Sequence, residues 1–141
     1  MSTYADSSFF VALYIPDEHS PAARRLLAQH DRIWLTPLHR AEWAHAVARR
    51  LFQRDLSMGE VQALYDKFEG HRQSHVWVEA PLPQMAFDRC IQLAKQHGTR
   101  IGMATLDTLH VASALELGAQ HFWTFDERQA KLARAVGLKV S

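Results

Sequence analysis

The stretch Met103–Gly137, MATLDTLHVASALELGAQHFWTFDERQAKLARAVG, decides how the chain reads. Met103–Leu117 is apolar on nearly every side of a 3.6-residue wheel, the pattern of a buried helix, and Gly118 follows where a helix C-cap needs a left-handed residue. Gln120–Thr124 is a short β-prone run. Phe125 or Asp126 then opens a second helix to about Val136, stopped by Gly137. A short apolar strand held between two helices is the repeating unit of a parallel sheet covered on both faces.

The same alternation extends to both sides. Thr3–Asp6 reads as a strand end, and Ser7 or Ser8 starts a helical turn that carries Phe9, Phe10, Leu13 and Tyr14 and stops at Pro16. Ser20 and Pro21 form an N-cap and N1 pair for a helix to about His30. Arg32–Thr36 is a strand. Pro37 begins a helix to about Arg54, with Leu38, Ala41, Ala44, Ala48, Leu51 and Phe52 at helical spacing. Ser57 and Glu60 make a capping box for the next helix, which carries Val61, Leu64, Tyr65 and Phe68 and is expected to end near Gly70. His75–Glu79 reads as a strand, Gln84–His97 as a helix stopping at Gly98, and Leu138–Val140 as a last strand. No linker, repeat or low-complexity stretch interrupts the pattern, so residues 1–141 read as a single α/β domain.

Composition agrees with a globular chain: 48% hydrophobic and 22% charged, with a formal net charge of +1. That charge is too small for the molecule as a whole to gather nucleic acid. Arginine supplies most of the basic residues, and Arg49, Arg50 and Arg54 cluster at one helix end. There they suit phosphate or simply complement the helix dipole. Cys90 stands alone, which fits a reducing compartment and a core thiol. The N-terminus lacks a basic, then apolar, signal pattern, and no apolar run reaches bilayer length. A cytoplasmic location is the expectation.

Four acids stand out. Asp6 and Asp126 closely follow strands, where open parallel sheets place their sites. Glu42 lies early in a helix on the flank of its apolar stripe. Asp107 sits in the buried helix, where an isolated carboxylate is costly and demands a partner. Each has a plain alternative: N-caps for Asp6 and Asp126, a dipole partner for Glu42, an ion pair with Arg100 for Asp107. His71 and His75 have the i,i+4 spacing of zinc ligands, but a helix end at Gly70 and the absence of HExxH or paired cysteines argue against it. His110 faces roughly the side of Asp107 and reads first as a hydrogen-bonded core histidine. No glycine-rich nucleotide motif is present.

In order, the four acids resemble the PIN-domain family, particularly the VapC-like toxins of prokaryotic toxin–antitoxin pairs. Tyr4-Ala5-Asp6-Ser7-Ser8 resembles the first motif and Arg40-Ala41-Glu42-Trp43 the second. Thr105–Ala119 resembles the third over its whole length. Phe122–Gly137, with Thr124 two residues before Asp126, is similar to the final strand–turn–helix. The likeness spans the chain. It implies a three-layer α/β/α fold with a central parallel sheet in the order 3-2-1-4-5. It implies that Asp6, Glu42, Asp107 and Asp126 bind Mg²⁺ or Mn²⁺ and are the catalytic residues of an endoribonuclease, with Ser7 and Thr124 as hydroxyls that orient carboxylates. A homodimer, an RNA substrate and a small cognate antitoxin are implied as well.

Two other classes compete. One is a PIN-like module that binds RNA or protein without cleaving, which has no need of four carboxylates. The other is a phosphoacceptor domain. It needs an acid pair after strand one and a lysine after a late strand, and neither is present. The Phe, Tyr and Leu of the first two helices and the Pro37–Gly70 hairpin are expected to be partly exposed and to meet partner chains, with Leu51, Phe52, Leu64 and Phe68 forming an antitoxin groove.

Overall fold

The computed structural model describes residues 2–29 and 32–141. Five strands form one sheet: β1 (Ser2–Ala5), β2 (Arg32–Leu35), β3 (Val78–Glu79), β4 (His121–Trp123) and β5 (Lys139–Val140). Their order is β3-β2-β1-β4-β5 and every pairing is parallel. The helices are α1 (Ser7–Tyr14), α2 (Ser20–Gln29), α3 (Pro37–Phe52), α4 (Met58–Gln73), α5 (Ala86–Ile101), α6 (Thr105–Glu116) and α7 (Glu127–Ala135). The expected end of α2 at His30 lies outside the described residues.

The period of two along each strand sorts side chains into two cores. Ala5, Ile33, Leu35 and Trp123 pack with Phe9, Phe10, Trp43 and Phe68 from α1, α3 and α4. Tyr4 and Phe122 point the other way, onto Cys90, Leu109, Val111 and Leu132 from α5, α6 and α7. The result is the three-layer α/β/α arrangement, with β1 at its centre and the carboxyl ends of β1 and β4 side by side. Among the described residues, no helix is long and apolar enough to cross a membrane.

Several local expectations change. Helix α4 passes through Gly70 to Gln73, and α5 passes through Gly98 and ends at Gly102, whose φ of 68° is left-handed. A glycine inside a helix costs about 1 kcal/mol, which the packed faces offset. Only a glycine that takes the left-handed conformation terminates the element. His71 therefore remains helical and meets the Tyr14 hydroxyl at 2.5 Å, while His75 lies beyond the helix end. The Ser57–Glu60 capping box is present in both directions, at 3.1 and 3.0 Å.

The buried stripe of α3 is His39, Trp43 and Val47, rather than the Leu38–Ala41–Ala44 register. A histidine can enter that stripe because both ring nitrogens are paired. Nδ1 accepts the Thr36 N–H at 2.9 Å and Nε2 donates to the Ala5 carbonyl at 2.7 Å. Of the hydrophobic residues of α1, Phe9, Phe10 and Tyr14 are core, not surface, while Val11 and Leu13 are partly buried; Phe68 of α4 is buried as well. Phe52 alone of the expected groove residues stands open, at 87% exposure.

Burial holds the His39 pKa well below the ordinary histidine value, and the nearby His110 adds to the shift. The folded imidazole stays neutral where the unfolded one protonates, so its contribution is complete above about pH 6.5 and falls as acid is added below it. Urea midpoints measured between pH 7.5 and 5 should fall more steeply for the parent than for His39→Gln. Multiplied by the m-value, the difference in slope should approach about 1.4 kcal/mol per pH unit. Parallel curves would refute this assignment.

Candidate active site

Asp6 follows β1 directly, and its N–H reaches the Trp123 carbonyl of β4 at 3.1 Å. It occupies the N-cap position of α1, but its carboxylate makes no capping bond. Instead Oδ1 accepts from Ser8 Oγ at 2.5 Å, and Oδ2 lies 3.1 Å from Thr124 Oγ1. Burial pushes the Asp6 carboxyl above the usual range; Ser8, His110 and Thr124 oppose the shift and the charge of Asp107 adds to it.

Glu42 stands half-buried on α3, one turn beyond His39. Its Oε1 accepts from Ser7 Oγ at 2.8 Å and meets His110 Nε2. His110 comes from α6 and is buried, with Nδ1 2.7 Å from the Tyr4 hydroxyl. A carboxylate only accepts, so Nε2 carries the hydrogen and, in the neutral ring, Nδ1 accepts from Tyr4. Burial pushes Glu42 up, but the His110 hydrogen bond and charge, with Ser7, outweigh it and leave the carboxyl below its ordinary value. His110 is thus a hydrogen-bonded core histidine whose partner is one of the four acids.

Asp107 lies half-buried in the first turn of α6. Burial and then the charge of Asp126 raise its carboxyl, Glu42 adds to this, and His110 and Arg128 oppose it. Arg100 is not its partner: that guanidinium reaches the Gln96 carbonyl and His97, both at 3.4 Å. Asp126 is exposed, and its Oδ1 caps α7 by accepting the Gln129 N–H at 3.0 Å. A cavity of about 80 Å³ opens between Asp107 and Asp126, with Arg128 on its wall. The charge of Asp107 acts on Asp6, and those of Asp126 and Glu42 act on Asp107, so the four acids share one electrostatic neighbourhood.

Ser7 lies against Glu42 and Thr124 against Asp6. The sequence reading missed Gln129, which is fully buried and bonded to Thr124 and to the Asp107 carbonyl. The available signal was the Asp126-x-x-Gln129 spacing, close to a capping box.

The donor set is one of carboxylate oxygens, which suit hard cations. Among the described residues, no three His, Cys, Asp or Glu side chains converge to hold a metal ion as they stand. Magnesium commonly takes one or two carboxylates and completes its shell with water, so the set fits a hydrated ion. The upward shifts of Asp6 and Asp107 mark where added positive charge would be stabilised.

A sequence model of the PIN domain matches residues 3–135. The chain belongs to the PIN-domain family. No curated protein matches it by sequence. Among solved structures, it resembles VapC20 of Mycobacterium tuberculosis, described as a sarcin–ricin-loop-cleaving toxin. Identity is 20%, coverage 97% of this chain and 96% of that one, and the TM-score 0.71. FitAcB from Neisseria gonorrhoeae matches at 18% identity over 98% and 95% of the two chains, with a TM-score of 0.73. VapBC2 from Rickettsia felis, solved with a DNA fragment from its promoter, matches at 16% over 100% and 98%, with a TM-score of 0.68. At these identities the likeness establishes the PIN fold.

Because Asp107 is held in a partly buried field of like charge, Asp107→Asn should raise Tm in EDTA at neutral pH by about 2 °C. Differential scanning calorimetry on the metal-free protein measures this, and a lowered Tm would count against mutual repulsion among the acids.

Proposed function

We propose that this PIN-domain chain is a metal-dependent endoribonuclease of the VapC type, the toxin of a toxin–antitoxin pair. Residues 1–141 act as one domain. What supports the reading is that Asp6, Glu42, Asp107 and Asp126, from four different helices, are linked through Thr124, Gln129 and His110, with Asp6 and Asp126 just beyond the carboxyl ends of β1 and β4. The four hold Mg²⁺ or Mn²⁺. When bound, such an ion lowers the pKa of a coordinated water and neutralises charge at the leaving oxygen of a phosphodiester.

The protein's own part is positioning. Ser7 and His110 aim Glu42, with Tyr4 fixing the far side of the imidazole. Ser8 holds one oxygen of Asp6. Arg128, on the wall of the Asp107–Asp126 cavity, is placed to meet substrate phosphate. His45 and Arg49 flank Glu42 along a groove of about 410 Å³ and extend the phosphate-binding surface along α3.

The toxin works in the cytoplasm and is restrained by a small antitoxin, which inserts an arginine or lysine among the carboxylates in competition with the cation. A cleft of about 230 Å³ lined by Tyr14, Ile15, Leu56 and Leu64, with Glu60 at its edge, offers an amphipathic antitoxin segment its apolar seat. The chain acts as a homodimer through Met85, Phe87 and Ile91 at the start of α5 and Leu106 of α6, each about half exposed.

Two experiments test this reading. Purified protein with total RNA and Mg²⁺ or Mn²⁺ should generate discrete new ends, and Asp6→Asn should abolish them while melting cooperatively. Full activity in that variant would remove Asp6 from the site, and intact RNA with the parent would favour a PIN-like binding module. Light scattering at micromolar concentration should give twice the monomer mass, and Phe87→Glu should halve it. A monomeric parent contradicts the dimer.

A further inference from the structure

Gln129 is a large polar side chain with no exposed surface, on the helix that Asp126 caps. Its Nε2 lies 3.1 Å from the Asp107 carbonyl and its Oε1 lies 2.6 Å from Thr124 Oγ1. The amide can sit only one way round, because a carbonyl must face the NH₂. Oε1 is therefore the group that confronts Thr124, and the hydroxyl must donate to it. Thr124 Oγ1 also accepts the Asp126 N–H at 3.0 Å and stands 3.1 Å from Asp6 Oδ2. A hydroxyl has a single proton, and here two acceptors compete for it. The hydroxyl serves both, held by the shorter contact to Gln129 and turned toward the charged Asp6 oxygen.

This arrangement has two consequences. Gln129 pins the Thr124 hydroxyl in place beside Asp6 Oδ2. The first turn of α6, which carries Asp107, is tied to the first turn of α7, which Asp126 caps, through one buried amide. We propose that Gln129 is a positioning residue of the acid cluster: its amide anchors the Thr124 hydroxyl beside Asp6 and fixes Asp107 relative to Asp126, so that the acids accept a divalent cation. The inference rests on reading the cluster as a cation site. Gln129 itself touches neither cation nor substrate. It acts through Thr124 and the Asp107 backbone.

The test uses the full chain, with Mn²⁺ alone as the probe. Its affinity is read from the electron paramagnetic resonance signal of free Mn²⁺, beside melting in EDTA. Gln129→Met keeps the volume but can neither accept the Thr124 proton nor donate to the carbonyl. It should melt cooperatively yet bind Mn²⁺ at least about tenfold more weakly, as losses of groups behind a metal ligand do. Combining it with Thr124→Val should add little, since both changes break one hydrogen-bonded link. Mn²⁺ affinity in Gln129→Met within about twofold of the parent, or losses that multiply in the double variant, would overturn the proposal.

If Gln129→Met does not melt cooperatively, Thr124 decides. Thr124→Ser keeps the proton and should bind Mn²⁺ several-fold more tightly than Thr124→Val, whereas equal affinities overturn the role. A parent that binds no Mn²⁺ ends both this proposal and the metal reading. A parent that binds Mn²⁺ in a Gln129-dependent way but leaves RNA intact ends only the nuclease reading.

Discussion

Everything around the site answers to the burial of the Asp6 carboxylate at the end of the central strand. A charge in that place costs several kcal/mol unless something pairs with it, and the chain supplies hydroxyls rather than a lysine or arginine. Ser8 and Thr124 reduce the cost without cancelling the charge. The charge of Asp107 adds to the cost, and the Asp107 carboxyl, raised by its own burial and by Asp126, also sits above its ordinary range. A site left short of positive charge is where, on the proposed function, the cation binds.

Around these acids lies a shell of buried polar side chains, each fully engaged. His39 bridges the Thr36 N–H and the end of β1. His110 bridges Tyr4 and Glu42. Gln129 bridges Thr124 and α6. None of the three is exposed by more than 2%. A partly satisfied network at that depth would be a liability, whereas a complete one holds each carboxylate in a single orientation. Three helices and two strands are joined by it, so the geometry of the acids is a property of the assembled layers and not of any one element.

The elements themselves were largely legible. Alternating short apolar strands and helices required a covered parallel sheet, and Gly118, Gly137 and the Ser57–Glu60 box marked ends that the structure has. Gly70 and Gly98 misled, because glycine stops a helix through its backbone conformation and not through its presence. The face of α3 misled for a related reason. Periodicity of apolar residues selects Leu38 and Ala41, and cannot show that His39 becomes buried once the Ala5 carbonyl and Thr36 N–H satisfy it.

By itself the sequence determined the alternation of elements, hence the layers, and the positions of four acids along them, since strand and helix periods are local properties of side-chain spacing. Only the tertiary structure decided which face of α3 is buried, that His110 from α6 meets Glu42 from α3, and that Gln129 links α6, α7 and the end of β4. Those contacts join residues from different elements, and what fixes them is that these buried polar groups find their partners only across the packed interface. That requirement does not exist until the layers close.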